Sequence, residues 1–136
     1  LSRGIRSPEG LLEAAEKANE KLTKEVGNRS EENFISFAFQ TKEVEFARKA
    51  SSKDDLQNGI DAWVEFKPYM NLSPLPVQVK SSKKGVDEFR KSEKYKLLNE
   101  MVIVINCGHR IGKRLFQKQF RLETKRIRGI INANQL

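Results

Sequence analysis

Cysteine, histidine and tryptophan each occur once in 136 residues, as Cys107, His109 and Trp63. A lone cysteine cannot close an internal disulfide, and one thiol with one imidazole lacks the partners of a zinc site. Cys107 therefore reads as a core thiol at a strand end, and His109 as a loop residue. No apolar run approaches the ~20 residues needed to cross a bilayer, which excludes a membrane-spanning protein. The chain opens Leu1-Ser2-Arg3-Gly4-Ile5-Arg6, without Met or the apolar core of a signal peptide. That reads as a trimmed or processed end and leaves a cytoplasmic location as the default. Internal repeats and low-complexity tracts are absent. Gly108 to Lys113 lacks the spacing of a nucleotide-phosphate loop, which excludes a nucleoside triphosphatase.

Acidic residues are scarce toward the carboxy terminus. Between Arg110 and Arg128, Glu123 is the single acid beside Arg110, Lys113, Arg114, Lys118, Arg121, Lys125, Arg126 and Arg128. The whole chain carries a formal net charge of +8. A concentrated basic excess points to a polyanionic partner, most simply nucleic acid, because neutralised phosphates release counterions. With 38% hydrophobic and 32% charged residues, the chain has the composition of one folded domain, residues 1–136, with a real core.

In chain order, Ser7-Pro8-Glu9 starts a helix, with Ser7 as cap. The stripe Leu11, Ala15, Leu22 and Val26 carries this helix to about Val26, and Gly27-Asn28 supplies its stop. Residues 34–39 read as strand or irregular core, with a short second helix as the other reading. Val44 to Ala50 is a strand. A polar turn, Ser51 to Gly59, follows, with Asp54 and Asp55 as secondary acids and Asn58-Gly59 as the turn signal. Strands are expected at Gly59–Phe66 and Pro76–Ser82. The connection between them, punctuated by Pro68, Pro74 and Pro76, is long for a hairpin and suited to substrate contacts. A helix from Val86 to Asn99 should turn Phe89, Leu97 and Leu98 inward. Glu100 to Cys107 reads as a strand buried on both faces. Ile111 to Asn132 is a long basic amphipathic helix with Leu115, Phe116, Phe120, Leu122, Ile127, Ile130 and Ile131 on its apolar side. Strand, helix and buried strand make a βαβ-like unit, so the fold class is α/β with a mixed central sheet flanked by helices.

Polar groups converge on one stretch. In Pro76-Val77-Gln78-Val79-Lys80-Ser81-Ser82, period two sets Gln78 and Lys80 on one face and Val77 and Val79 on the other. A hairpin brings Asp61, from Gly59-Ile60-Asp61, to within a few ångströms of them. Gly-Ile-Asp followed by Gln-Val-Lys-Ser-Ser resembles the PD-(D/E)XK nucleases, the restriction-endonuclease-like superfamily that includes Holliday junction resolvases and small restriction and homing endonucleases. The resemblance covers roughly residues 9 to 107. Asp61 matches the Asp that opens one strand and Lys80 the Lys of the next, while Gln78 stands where the second acid is usual. Glu16, Leu22 and Gly27 are similar in spacing to the Glu, Leu and terminal Gly of a helix that precedes the core strands.

That resemblance implies a restriction-endonuclease-like core and a metal-dependent DNA endonuclease. Asp61 would anchor Mg²⁺, or Mn²⁺, with the Gln78 amide oxygen, the Val79 carbonyl and Glu16 as further ligands. Lys80 would hold the attacking water or the scissile phosphate. Glu65 is a reserve acid on the face of Asp61. Ser81, Ser82, Lys83 and Lys84 at a helix start, with Arg110, Lys113, Arg114 and Lys118, are the expected nucleic-acid contacts. Cleaving both strands of a duplex implies a homodimer or higher symmetric assembly. A non-catalytic nucleic-acid-binding module on the same fold and an RNA-directed protein are the competing readings.

Overall fold

No proline stands between Pro8 and Pro68, and the first helix uses that freedom. In the computed structural model, which describes residues 8–53 and 59–135, helix α1 spans Pro8–Phe39. The side chains of residues 8–13, 16, 20 and 23 lie outside the described residues, as do Ser7, Asp54, Asp55 and Asn58. The expected stop at Gly27 is overturned. A glycine inside a helix costs about 1 kcal/mol, less than the burial of the residues beyond it returns. Phe34 and Ala38, one turn apart, are completely buried, and Ile35 and Phe37 pack at the margin of the same core. Residues 34–39 are therefore helix, and the alternation of Phe37 and Phe39 that suggested a strand is incidental, since Phe39 is exposed. The stripe expected to face inward is not covered either, with Leu22 61% and Val26 42% exposed and Ala15 exposed.

Four strands form one mixed sheet in the order β1 (Val44–Lys49), β2 (Ala62–Phe66), β3 (Leu75–Lys80) and β4 (Ile103–Asn106). β1 with β2 and β2 with β3 are antiparallel, and β3 with β4 is parallel. The βαβ expectation holds. Its crossover contains α2 (Lys83–Arg90) and α3 (Glu93–Leu97) in place of one helix from Val86 to Asn99. Ser92 divides them: its Oγ accepts the Tyr95 N–H at 3.3 Å and donates to the Phe89 carbonyl at 2.6 Å. A hydroxyl that caps a new helix competes with continuation of the old one. The phase shifts in consequence, and Leu97 is 79% exposed while Phe89 and Tyr95 are buried.

The last helix, α4, runs Lys113–Asn134. One sheet face meets α1 and α4 in a core of Ala62, Val64, Val77, Val79, Ile103 and Ile105 with Phe34, Phe116 and Phe120. Phe34 meets Phe116 edge-on at 5.7 Å between ring centres, and Phe116 stacks on Phe120 at 5.8 Å. On the other face, Val86, Phe89 and Tyr95 cover Val102 and Val104. Of the expected apolar side of α4, Leu115 and Leu122 are exposed. Among the described residues, no helix is long and apolar enough to cross a membrane.

β4 lies at the end of the sheet, and α4 closes its outer edge. Gln119 accepts from the Asn106 N–H and donates to its carbonyl, while Glu123 accepts from the Val104 N–H at 2.9 Å. Arg126 donates to the carbonyls of Glu100 and Val102. Residues 119, 123 and 126 share one helix face, so side chains stand in for a fifth strand. Glu123 is buried and also binds Arg126 at 2.8 Å and Arg90 of α2 at 3.3 Å. Burial opposes the Arg126 charge, but the hydrogen bond and the charge of Glu123, with smaller contributions from Tyr95 and Glu100, together outweigh it and raise the guanidinium pKa above its usual value. Glu123→Ala leaves the Val104 N–H and Arg126 without their acceptor, and we expect a loss of about 3 kcal/mol in urea unfolding. A change below ~0.5 kcal/mol, the usual range of surface substitutions, would show that the edge is not closed this way.

Candidate active site

The antiparallel β2–β3 pairing and the parallel β3–β4 pairing bring the start of β2 and the ends of β3 and β4 to one end of the sheet. Asp61 stands just before β2. Its backbone N–H donates to the Val77 carbonyl at 2.8 Å, and its Oδ2 accepts from the Val79 N–H at 2.8 Å. The carboxylate thereby binds a β3 amide beside the point where β2 begins. The hairpin apposition expected from the sequence is present.

Ala62 faces Val77 across the ladder, which sets Asp61 opposite Gln78 at the next register position. Gln78 is 7% exposed, and its Oε1 is enclosed without a hydrogen-bond partner among the described residues. Buried amide oxygens are ordinarily satisfied, so this one is an open acceptor next to a carboxylate. Gly59 and Lys94 border it. Gly59 has φ 65°, in the left-handed region, and a Cβ there would come 2.9 Å from the Lys94 Cδ and 3.8 Å from Gln78 Oε1. The positive φ favours glycine at this position, whereas the flexible Lys94 side chain can move aside for a Cβ.

Lys80 is half-buried two residues beyond Gln78 on the same face. Its aliphatic stem passes Gly85, and its Nζ lies 5.5 Å from the centre of the Phe89 ring. No described carboxylate pairs with it. The Val79 side chain points into the opposite core, its amide held by Asp61. Glu16 lies in α1 ~9 Å along the helix axis before Leu22, with its side chain outside the described residues. Glu65 is exposed. Among the described residues, no three His, Cys, Asp or Glu side chains form a metal cluster.

The expected phosphate contacts gather at the same end. Ser81, Ser82, Lys83 and Lys84 are exposed where α2 begins, and the Ser82 Oγ caps that helix by accepting from the Gly85 N–H. The Cys107 N–H donates to the Lys80 carbonyl, and a Cβ on Gly108 would meet the Ser81 carbonyl at 2.3 Å. The segments leaving β3 and β4 are thus in close contact, and Arg110, Lys113 and Arg114 follow in the second of them, exposed. Lys118 is exposed farther along α4. Cys107 is buried, and burial pushes its thiol up to about 12, so it stays protonated and inert. His109 is exposed in the following turn.

Sequence reasoning missed the part played by α1. Because the helix passes its expected stop, Arg29, Ser30 and Asn33 reach the strand ends, and the Asn33 Nδ2 donates to the Cys107 carbonyl at 3.1 Å. The spacing Leu22, Val26, Arg29, Ser30 and Asn33 is the signal that would have revealed this face. No protein-family model, curated protein or solved structure matches the chain.

The Asp61 carboxylate has a structural task that separates from its charge. Asp61→Ala leaves the Val79 N–H without this acceptor and should cost about 1–3 kcal/mol in urea unfolding. Asp61→Asn keeps an oxygen for that amide and should cost less than half as much. Equal losses would show that the charge, and not the hydrogen bond, holds the strand start.

Proposed function

We propose that the chain is a metal-dependent endodeoxyribonuclease of the PD-(D/E)XK type, with Gln78 in place of the second acid. The observation that carries this reading is Asp61 opposite Gln78, whose buried amide oxygen has no hydrogen-bond partner among the described residues, with Lys80 two residues farther along the same strand. The donor chemistry fits a hard cation: a carboxylate and a free amide oxygen suit Mg²⁺ or Mn²⁺. Asp61 and Gln78 would hold the ion, with the Val79 carbonyl and Glu16 as further ligands. When bound, such an ion supplies Lewis acidity toward phosphoryl oxygens and a more acidic water.

The chain's own residues account for the rest. Asp61 is fixed by the Val79 amide and so keeps one orientation. Lys80, without a carboxylate partner among the described residues, carries its ammonium beside the Phe89 ring and would turn from there toward a phosphate on which negative charge grows. Ser81, Lys83 and Lys84, with Arg110, Lys113, Arg114 and Lys118, hold the backbone of the substrate. A homodimer supplies the second active site needed to cut both strands. The enclosure of Gln78 Oε1 favours a second reading, a binding module that keeps the fold without the reaction.

Cleavage of labelled linear, supercoiled and four-way-junction DNA with Mg²⁺ or Mn²⁺, beside EDTA controls, separates the two. For the nuclease, Asp61→Asn and Lys80→Ala each lower the rate by on the order of 100-fold and leave DNA binding in EDTA intact. Variants that cut as well as the parent, or a parent that cuts nothing, would exclude it. Gln78→Glu restores a second carboxylate opposite Asp61 and strengthens attraction for a dication. Titration calorimetry should then show Mn²⁺ bound more than about tenfold tighter, the equivalent of ~1.4 kcal/mol. Unchanged affinity would remove Gln78 from the metal site.

A further inference from the structure

A cleft runs beside this site, between α1 and the ends of β3 and β4. It consists of two hollows of about 620 and 380 Å³ that share Val26, Ser30 and Ser81 in their walls. Arg29, Gly108 and His109 line the first, and Leu22, Val79 and Lys80 the second. The cleft is a built feature. Asn33 ties α1 to the end of β4, and the tight approach of Gly108 to Ser81 joins the two strand ends in its floor.

Its lining is of two kinds. Leu22 and Val26 present apolar surface on the α1 wall. Arg29, Ser81 and His109 present donors, and neither Arg29 nor His109 has a hydrogen bond or ion pair among the described residues. The acid in the wall, Glu32, lies 3.9 Å from Lys49.

Resting on the nucleic-acid reading above, we propose that this cleft takes a single unpaired nucleic-acid strand. A paired duplex keeps its base faces stacked and shows a protein only its phosphates and groove edges. The apolar wall would then have no partner. An unpaired strand offers both parts: phosphates for Arg29, Ser81 and His109, and the bare apolar surface of bases to pack on the aliphatic Leu22 and Val26. The volumes are those of sites that enclose small ligands, a scale of one or two nucleotides. Val79 and Lys80 both line the second hollow, so a strand held there lies against the end of β3, with Gln78 on the other face of the sheet.

The test is fluorescence anisotropy in EDTA, with a short labelled single-stranded DNA and its blunt duplex at matched salt. The expected result is tighter binding of the single strand. Arg29→Ala and Val26→Ser, both substitutions on exposed helix surface, should each weaken single-strand binding by about fivefold, the equivalent of ~1 kcal/mol, while leaving duplex binding and the circular dichroism spectrum unchanged. Equal affinity for the two DNAs, or single-strand binding indifferent to both substitutions, overturns the proposal. The cleavage assay keeps the two readings distinct. Metal-dependent cutting of duplex alone, with no single-strand preference, overturns the cleft and leaves the nuclease standing. Selective single-strand binding without cleavage supports the cleft and removes the nuclease.

Discussion

The outer edge of β4 is the constraint on which the rest depends. β4 has only four residues and a strand partner on one side, so its outward amides and carbonyls need acceptors and donors from elsewhere. Gln119, Glu123 and Arg126 supply them, and in doing so they lay α4 along the strand. Glu123 also reaches Arg90, which ties α2 to the same line. Both helices consequently begin at the end of the sheet where β3 and β4 finish. The basic residues of their first turns share that end with Asp61 for this reason.

This arrangement divides the basic residues by task. Arg90 and Arg126 neutralise Glu123, Arg121 pairs with Glu43, and Arg128 donates to the Met70 carbonyl. At Glu43, burial raises the carboxyl pKa, but the hydrogen bond from Arg121, a backbone hydrogen bond and the charges of Arg121 and Lys42 together outweigh it, and the net direction is downward. Those arginines hold the fold. Arg110, Lys113, Arg114 and Lys118 are exposed and take no part in the ion pairs among the described residues. A basic run that looked uniform in the sequence divides into a free set toward its start, Arg110 to Lys118, and a structural set, Arg121, Arg126 and Arg128, farther along α4.

The strands were the legible part. Val77 and Val79 against Gln78 and Lys80 is a period-two signal, and the apolar run before Cys107 has the length of a buried strand. The parallel pairing followed from the helix between them. Helix ends and helix phases were less legible. Gly27 carries the same local signal whether or not a helix continues, and the burial of Phe34 and Ala38 against the sheet decided the matter. Ser92 similarly looks like an ordinary helix residue until its hydroxyl is seen to cap the next turn. Leu97, Leu115 and Leu122 show that an apolar residue at plausible spacing still needs a neighbour to cover it.

For the site, the sequence by itself determined which groups share a face of β3, because alternation along a strand is a property of the backbone. It also determined that Asp61 would return beside them, since a hairpin between two β-forming runs allows little else. Only the tertiary structure decided that the Asp61 carboxylate takes the Val79 amide and that Gln78 Oε1 is enclosed without a partner among the described residues. The tertiary structure alone brought Arg29 and His109 to one cleft, from residues 80 positions apart. Alternation acts between neighbours in the chain, whereas packing is a competition among distant segments for the same surface.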